Sequence, residues 1–215
     1  MRKLILASNS PRRIELLGLL GWPFEVIPAD IDENQRGGES PIDYVRRLAC
    51  QKAATVAESQ KGLLIAADTI VVDGGTLLGK PADPAEARQM LQQLRGRTHQ
   101  VYTGIAIVET DSGQAYADVC RTDVPMRDYS DAEIEAYIAT GDPLDKAGAY
   151  GIQNAEFHPA PDISGCYASV MGFPLCHLMV GLRHFDQAAS ADLPARCQAF
   201  LHYDCPVYRT ILGQP

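Results

Sequence analysis

The stretch GLLIAADTIVV, from Gly62 to Val72, interrupts a nearly continuous apolar run with only Asp68 and Thr69. A run of this length, rich in Ile and Val, reads as a strand buried on both faces at the centre of a sheet. An acid in its middle is costly to bury as an anion unless it is paired or binds a metal. Asp68 is therefore expected to be a metal ligand or a general base in a cleft, in preference to a strand-end aspartate satisfied by backbone amides. Thr69 should point to the opposite face, unless the strand ends or bulges there.

Upstream, KLILASNSPRRIELL (3–17) places a short apolar strand before an amphipathic helix. Ser10 is a good N-cap and Pro11 suits the first helical position. Arg12 and Arg13 then sit at the positive end of the helix dipole, where acids are preferred. A bound anion would explain the pair, since free helix amides and arginines both hold phosphate. Neither a Walker loop nor a G-x-G-x-x-G turn is present. Gly21 stops this helix, and FEVIP (24–28) reads as a second strand. DIDENQRGGES (30–40) is a polar loop, and a longer helix follows from Ser40 to about Ser59.

Downstream of the central strand, DGG turns the chain and TLLGKP returns it. Asp83, Pro84 and Glu86 form a capping-box start to a helix ending near Arg95, with Gly96 as its stop. QVYTGIAIVET and QAYADVCRTDVPM, joined by DSG, read as a hairpin. Ser130 caps a further helix that Gly141 stops, and FPLCHLMVGLRHF (173–185) reads as another. Thr140 to Gly165 is glycine-rich and charged with no clear element, as functional loops often are. Strands and helices interleave without strict alternation, which predicts an α/β (mixed α+β) layered fold around a mixed sheet. Residues from about Asp186 to the end read as an appendage.

The 215 residues are 46% hydrophobic, ample for one large domain or two small lobes. Lys and Arg number 19 against 27 Asp and Glu, a net charge of -8. That balance argues against broad binding to nucleic acid or to an anionic membrane. Six scattered cysteines without C-x-x-C spacing fit reduced thiols in a cytoplasmic protein. The tail segment CQAFLHYDC offers only Cys197, His202 and Cys205, at no recognised zinc spacing. Apolar runs are too short for a signal core or a membrane span. The five histidines show no metal spacing and no Cys–His dyad. Lys52, Lys80 and Lys146, taken singly, read as solvated lysines, and Glu33 carries no signal of its own.

Taken together, LASNSPRRIELL, IDE, RLACQKA, AADTIVV, LGKP, GRTHQVYTG, DKAGAYGIQ and ISGCYASVMGFPL occur in an order that resembles the Maf family of nucleoside triphosphate pyrophosphatases, the septum formation proteins. The resemblance covers about Leu4 to Leu182, giving an expected Maf-like domain over 1–185 and a C-terminal extension over 186–215. It implies an elongated two-lobed fold with a central mixed sheet flanked by helices and the active-site cleft between the lobes. It implies hydrolysis of nucleoside triphosphates between the α and β phosphates, with a divalent cation such as Mg2+ or Mn2+, in a house-cleaning role. Ser8, Arg12, Arg13, Lys52 and Lys80 match the family's phosphate-binding positions. Glu33 matches the acidic position near the metal, and Asp68 matches the proton acceptor, with a share in the metal. Thr69 and Gln153, with Arg12, match the specificity positions of the branch acting on dTTP and UTP. Asn154 stands where the family commonly has Gly. Alternatives are a pyrophosphatase for modified nucleotides such as 7-methyl-GTP, and a non-catalytic nucleotide-binding regulator of cell division. The expected partner is a small nucleotide, with no nucleic acid polymer and no membrane; a homodimer is left open.

Overall fold

In the computed structural model, which describes residues 2–214, the chain folds around one mixed sheet. The strands are β1 (Leu4–Leu6), β2 (Phe24–Val26), β3 (Leu63–Asp73), β4 (Thr76–Leu78), β5 (Thr98–Glu109) and β6 (Ala115–Pro125). The order is β2-β1-β3-β5-β6. The first three run parallel, and β5 and β6 are antiparallel to their neighbours. The central placement read from the apolar run holds: every residue of β3 is buried except half-buried Thr69.

Period-two alternation along β3 sorts its side chains between two cores. Leu64, Ala66, Ile70 and Val72 face α2 (Pro41–Ala57), whereas Leu63, Ile65, Ala67 and Val71 join the larger core on the other face. That larger core also takes in α1 (Pro11–Gly18), α3 (Pro84–Leu94), α4 (Asp131–Ala139) and α6 (Leu175–Arg183). The strand continues past Asp68 without breaking, so Asp68 and Thr69 lie on opposite faces of the sheet.

One edge of β3 is fully paired with β5 from Leu63 to Val72. The other edge is shared: β1 takes Leu63 to Ile65, and β4 takes Val71 to Asp73. Residues 66–70 on that edge have no strand partner, leaving a notch at the middle of the sheet. The chain leaving β1 enters the notch through Ser8 to Ser10 and starts α1 there.

Helix α2 lies close on β5 because small residues meet. A Cβ on Gly104 would stand 2.4 Å from the Val45 carbonyl oxygen. Gly104 is the partner of Asp68 across the β3–β5 ladder, so the contact also fixes how near α2 passes to Asp68. Ser40 caps α2 by accepting from the Asp43 amide at 3.2 Å. Asp83 caps α3 through the Glu86 amide at 2.8 Å, but the expected capping box does not close: Glu86 reaches back to the Ala82 amide at 2.6 Å, one residue before the cap. Ser130 and Glu133 complete a reciprocal capping box on α4.

The segment from Thr140 to Gly165 contains two short 3₁₀ turns, Asp142–Asp145 and Ala147–Ala149, and is otherwise irregular. A single-turn helix α5 (Tyr167–Val170) precedes α6. Beyond α6 the chain forms α7 (Leu193–Leu201) and α8 (Tyr208–Leu212), which bury Leu193, Cys197 and Leu212 against the main core. No helix among the described residues is long and apolar enough to cross a membrane.

Candidate active site

The notch in the sheet is where the sequence-predicted residues meet. A chamber of about 480 Å³ is lined by Ser8, Ser10, Arg12, Arg13, Glu33, Lys52 and Lys80. Four cations from three separate stretches of chain thus face one space. A second chamber of about 100 Å³, on the Thr69 side, is lined by Thr69, Tyr150 and Gln153. The two chambers share Ser10, Arg12, Arg13, Lys80 and Asp145, so they form one cleft running through the notch. Thr69 lines this cleft directly, whereas Asp68, on the other face of the sheet, lines neither chamber and is joined to the larger one through Lys52.

The α1 terminus leaves its donors unspent. Ser10 makes no side-chain cap bond, and the first turn holds no acid. Its own amide donates to Ser8 Oγ at 3.2 Å. The free amides of that first turn therefore add to the charge of Arg12 and Arg13. Arg12 lies 3.7 Å from Asp145, too far and too exposed to be locked. Lys80 is exposed, lines both chambers and has no ion-pair partner among the described residues.

Arg13 is held by a relay. It donates to the Gly172 carbonyl at 3.0 Å, to Ser8 Oγ at 3.3 Å and to Thr69 Oγ1 at 3.2 Å. Thr69 Oγ1 lies 3.0 Å from Thr103 Oγ1, which donates to the Ser169 carbonyl at 2.8 Å. Burial lowers the pKa of the Arg13 guanidinium from its ordinary value, while Asp68 opposes the shift. An arginine remains cationic under such a shift.

Behind the chamber, Lys52 Nζ bridges two carboxylates, Asp68 Oδ1 at 2.6 Å and Glu33 Oε1 at 2.7 Å. Burial pushes the Asp68 carboxyl above the usual carboxylate range, against the pull of Lys52 and Arg13. The loop carrying Glu33 is fastened to α2. Tyr44 donates to the Glu33 carbonyl at 2.7 Å, and Arg47 donates to the Asn34 carbonyl at 3.1 Å while gripping Glu39.

The irregular segment forms the far wall. Lys146 is buried and is an anchor: its ammonium donates to the Asp142 carbonyl at 2.7 Å, to Asp142 Oδ1 at 2.8 Å and to Asp145 Oδ1 at 2.6 Å. Asp142 also accepts from Tyr137 at 2.6 Å and from the Asn154 amide at 3.2 Å. Tyr137 in turn accepts from the Gly151 amide at 2.9 Å. Asn154 is thus a knot in the loop: its side-chain oxygen also takes the Phe157 amide at 2.8 Å. Gln153, beside it, is exposed and lines the smaller chamber.

Reading the sequence did not single out Thr103, Tyr44, Gly172 or Asp142. Thr103 and Tyr44 look like ordinary strand and helix residues, and a carbonyl such as that of Gly172 leaves no trace in side-chain pattern. The i, i+4 spacing of Asp142 and Lys146 was the one available signal. The structure also pairs His177 Nδ1 with Asp118 Oδ2 at 2.7 Å, a contact on α6 and β6 that histidine spacing did not suggest.

No group of three or more His, Cys, Asp or Glu among the described residues is arranged to hold a metal. Glu33 and Asp68 nonetheless converge within 2.7 Å of one point, the Lys52 ammonium. Two hard carboxylates suit Mg2+, which commonly takes one or two from the protein and the rest from water and substrate phosphates. The donor type suits a hard divalent cation, while the point on which both carboxylates converge is held by the Lys52 ammonium.

The chain is similar to several known proteins. A dTTP/UTP pyrophosphatase of Bacillus cytotoxicus is 46% identical over 191 residues, which is 88% of this chain and 99% of that protein. One from Dictyoglomus thermophilum is 45% identical over 179 residues, 82% of this chain and 93% of that protein. Among solved structures, the Staphylococcus aureus Ham1 protein overlaps 58% of this chain and 71% of its own, with a TM-score of 0.44 and 17% identity. The sequence profile of the family described as Maf-like protein matches residues 3–185, the span that builds the sheet and both chambers, and the chain belongs to that family.

Proposed function

We infer that the protein hydrolyses nucleoside triphosphates, dTTP and UTP first among them, between the α and β phosphates to give a monophosphate and pyrophosphate. The observation that carries this reading is the chamber shared by Arg12, Arg13, Lys52, Lys80 and Glu33, with Asp68 behind it on Lys52. The relatives named dTTP/UTP pyrophosphatase support the choice of base.

In this reading the phosphate chain lies across the α1 terminus. Arg12, Arg13 and Lys80 neutralise charge that develops on the leaving pyrophosphate. Asp68 accepts a proton from the water that attacks the α phosphorus, and the bond to the bridging oxygen breaks. Burial makes Asp68 a stronger base than an exposed aspartate. Lys52 holds Asp68 and Glu33 in place. Glu33 and Asp68 would hold the divalent cation, whose chemistry when bound is polarisation of a phosphoryl oxygen.

Gln153 and Thr69 meet the base. A glutamine amide presents a donor pair and an acceptor, which suits the imide edge of thymine or uracil. Gln153→Glu removes both donors. Its kcat/KM for dTTP and UTP should fall about tenfold or more, at about 1 kcal/mol for each lost bond. Unchanged relative rates across a nucleotide panel would exclude the role.

The reaction itself is tested by its products. Pyrophosphate and monophosphate are expected from dTTP and UTP with Mg2+ or Mn2+. Orthophosphate and diphosphate would place the attack at the wrong phosphorus.

A further inference from the structure

Gln153 has no side-chain hydrogen-bond partner among the described residues, so its backbone must set where its amide points. One residue before it, the Ile152 carbonyl accepts from Tyr167 Oη at 3.0 Å. The Tyr167 ring lies 5.3 Å from the Tyr203 ring, tilted by 38°. Tyr203 Oη donates to the Gly165 carbonyl at 3.0 Å, with the Ile163 carbonyl sharing it at 3.2 Å. The tail thus grips both ends of the turn leading into Tyr167. His202, in the left-handed conformation at φ 48°, ends α7 and swings Tyr203 toward this turn. Leu201, His202 and Tyr203 also line one pocket of about 270 Å³ together with Ile152, Gln153 and Asn154.

The family profile ends at residue 185, so Tyr203 lies beyond the part the family shares. We propose that Tyr203, acting through Tyr167, is a positioning residue for base selection: the C-terminal extension sets the backbone that aims Gln153. This rests on the reading that Gln153 meets the base. The tail is more than a cover over the core, because Tyr203 bonds the Ile163 and Gly165 carbonyls just before Tyr167, whose hydroxyl in turn holds the Ile152 carbonyl that precedes Gln153.

Tyr203→Phe keeps the ring and removes the hydroxyl. KM for dTTP and UTP should rise about five- to tenfold, the effect of one lost hydrogen bond. The kcat at saturation should stay within about twofold, since the reacting groups are untouched. Inhibition by inorganic tripolyphosphate, which reports the phosphate chamber alone, should not change. Tyr167→Phe should reproduce the pattern, and the double variant should be no worse than the stronger single one, as expected for two links of one chain.

Unchanged KM in both variants overturns the proposal. Equal weakening of tripolyphosphate inhibition also overturns it, because a general loosening of the fold would do that. If Tyr203→Phe does not fold, as judged by thermal melting, Tyr167→Phe decides alone. A Gln153→Glu variant with unaltered base preference removes the base reading and this proposal together. Altered preference there, with normal KM in the tyrosine variants, removes this proposal only.

Discussion

Asp68→Asn should abolish turnover and leave nucleotide binding nearly intact. The amide keeps the size of the side chain but cannot take up a proton, and it is a poorer ligand for a hard cation. The loss should be on the order of 10²–10⁴-fold, the usual contribution of a positioned general base. Arg12, Arg13 and Lys80 make no hydrogen bond to Asp68, so the charges that hold the phosphates remain. The fold should tolerate the change better than that of most buried pairs. Lys52 keeps Glu33 at 2.7 Å, and the Asn oxygen can still face the ammonium. Steady-state pyrophosphate release, measured beside a binding titration, separates the two effects. Near-normal turnover would falsify the role given to Asp68.

Lys52→Met should have the largest effect on stability. It strips the cation from two carboxylates, one of them only 6% exposed. Removing one partner of a buried pair leaves an uncompensated charge and costs about 3–5 kcal/mol. The low end is expected here, because Arg13 still faces Asp68 and Asp68 can take up a proton. The sign of the pH dependence follows from that proton. The pKa of Asp68 is already raised in the folded protein and rises further without Lys52. The penalty is therefore present where Asp68 is ionised and shrinks as pH falls through that raised value. Urea midpoints of wild type and variant should converge toward acid pH. Adding Asp68→Asn to Lys52→Met should recover much of the loss at neutral pH, a coupling expected of residues in contact. Equal midpoints for wild type and Lys52→Met at neutral pH would show that the pair carries no weight in the fold.

Sequence pattern was sufficient for the elements with strong periodicity or caps. The nearly unbroken apolar run of β3, the Ser-Pro start of α1 and the Ser130 cap of α4 are local signals, and each element formed where its signal lay. Boundaries were read less well: α1 ends at Gly18 and α6 spans Leu175–Arg183, both shorter than their apolar patterns. The tail and the segment from Thr140 to Gly165 gave no periodic signal. Their order comes from contacts with distant parts of the chain, such as Leu212 in the main core and Lys146 on Asp142 and Asp145.

By itself, the sequence determined the central strand, the misplaced charge of Asp68 within it, and the two arginines at a helix start that lacks acids. These are readable because an isolated polar group in an apolar run, or a cation at a positive dipole, is unfavourable wherever the chain later folds. Only the tertiary structure decided that Asp68 is answered by Lys52. It also decided that Thr69, on the other face, shares the cleft. The first depends on Gly104 letting α2 come close, and the second on β1 and β4 leaving the same edge of β3 unpaired between them. Both are relations between segments far apart in sequence, and no local pattern encodes the distance across such a gap.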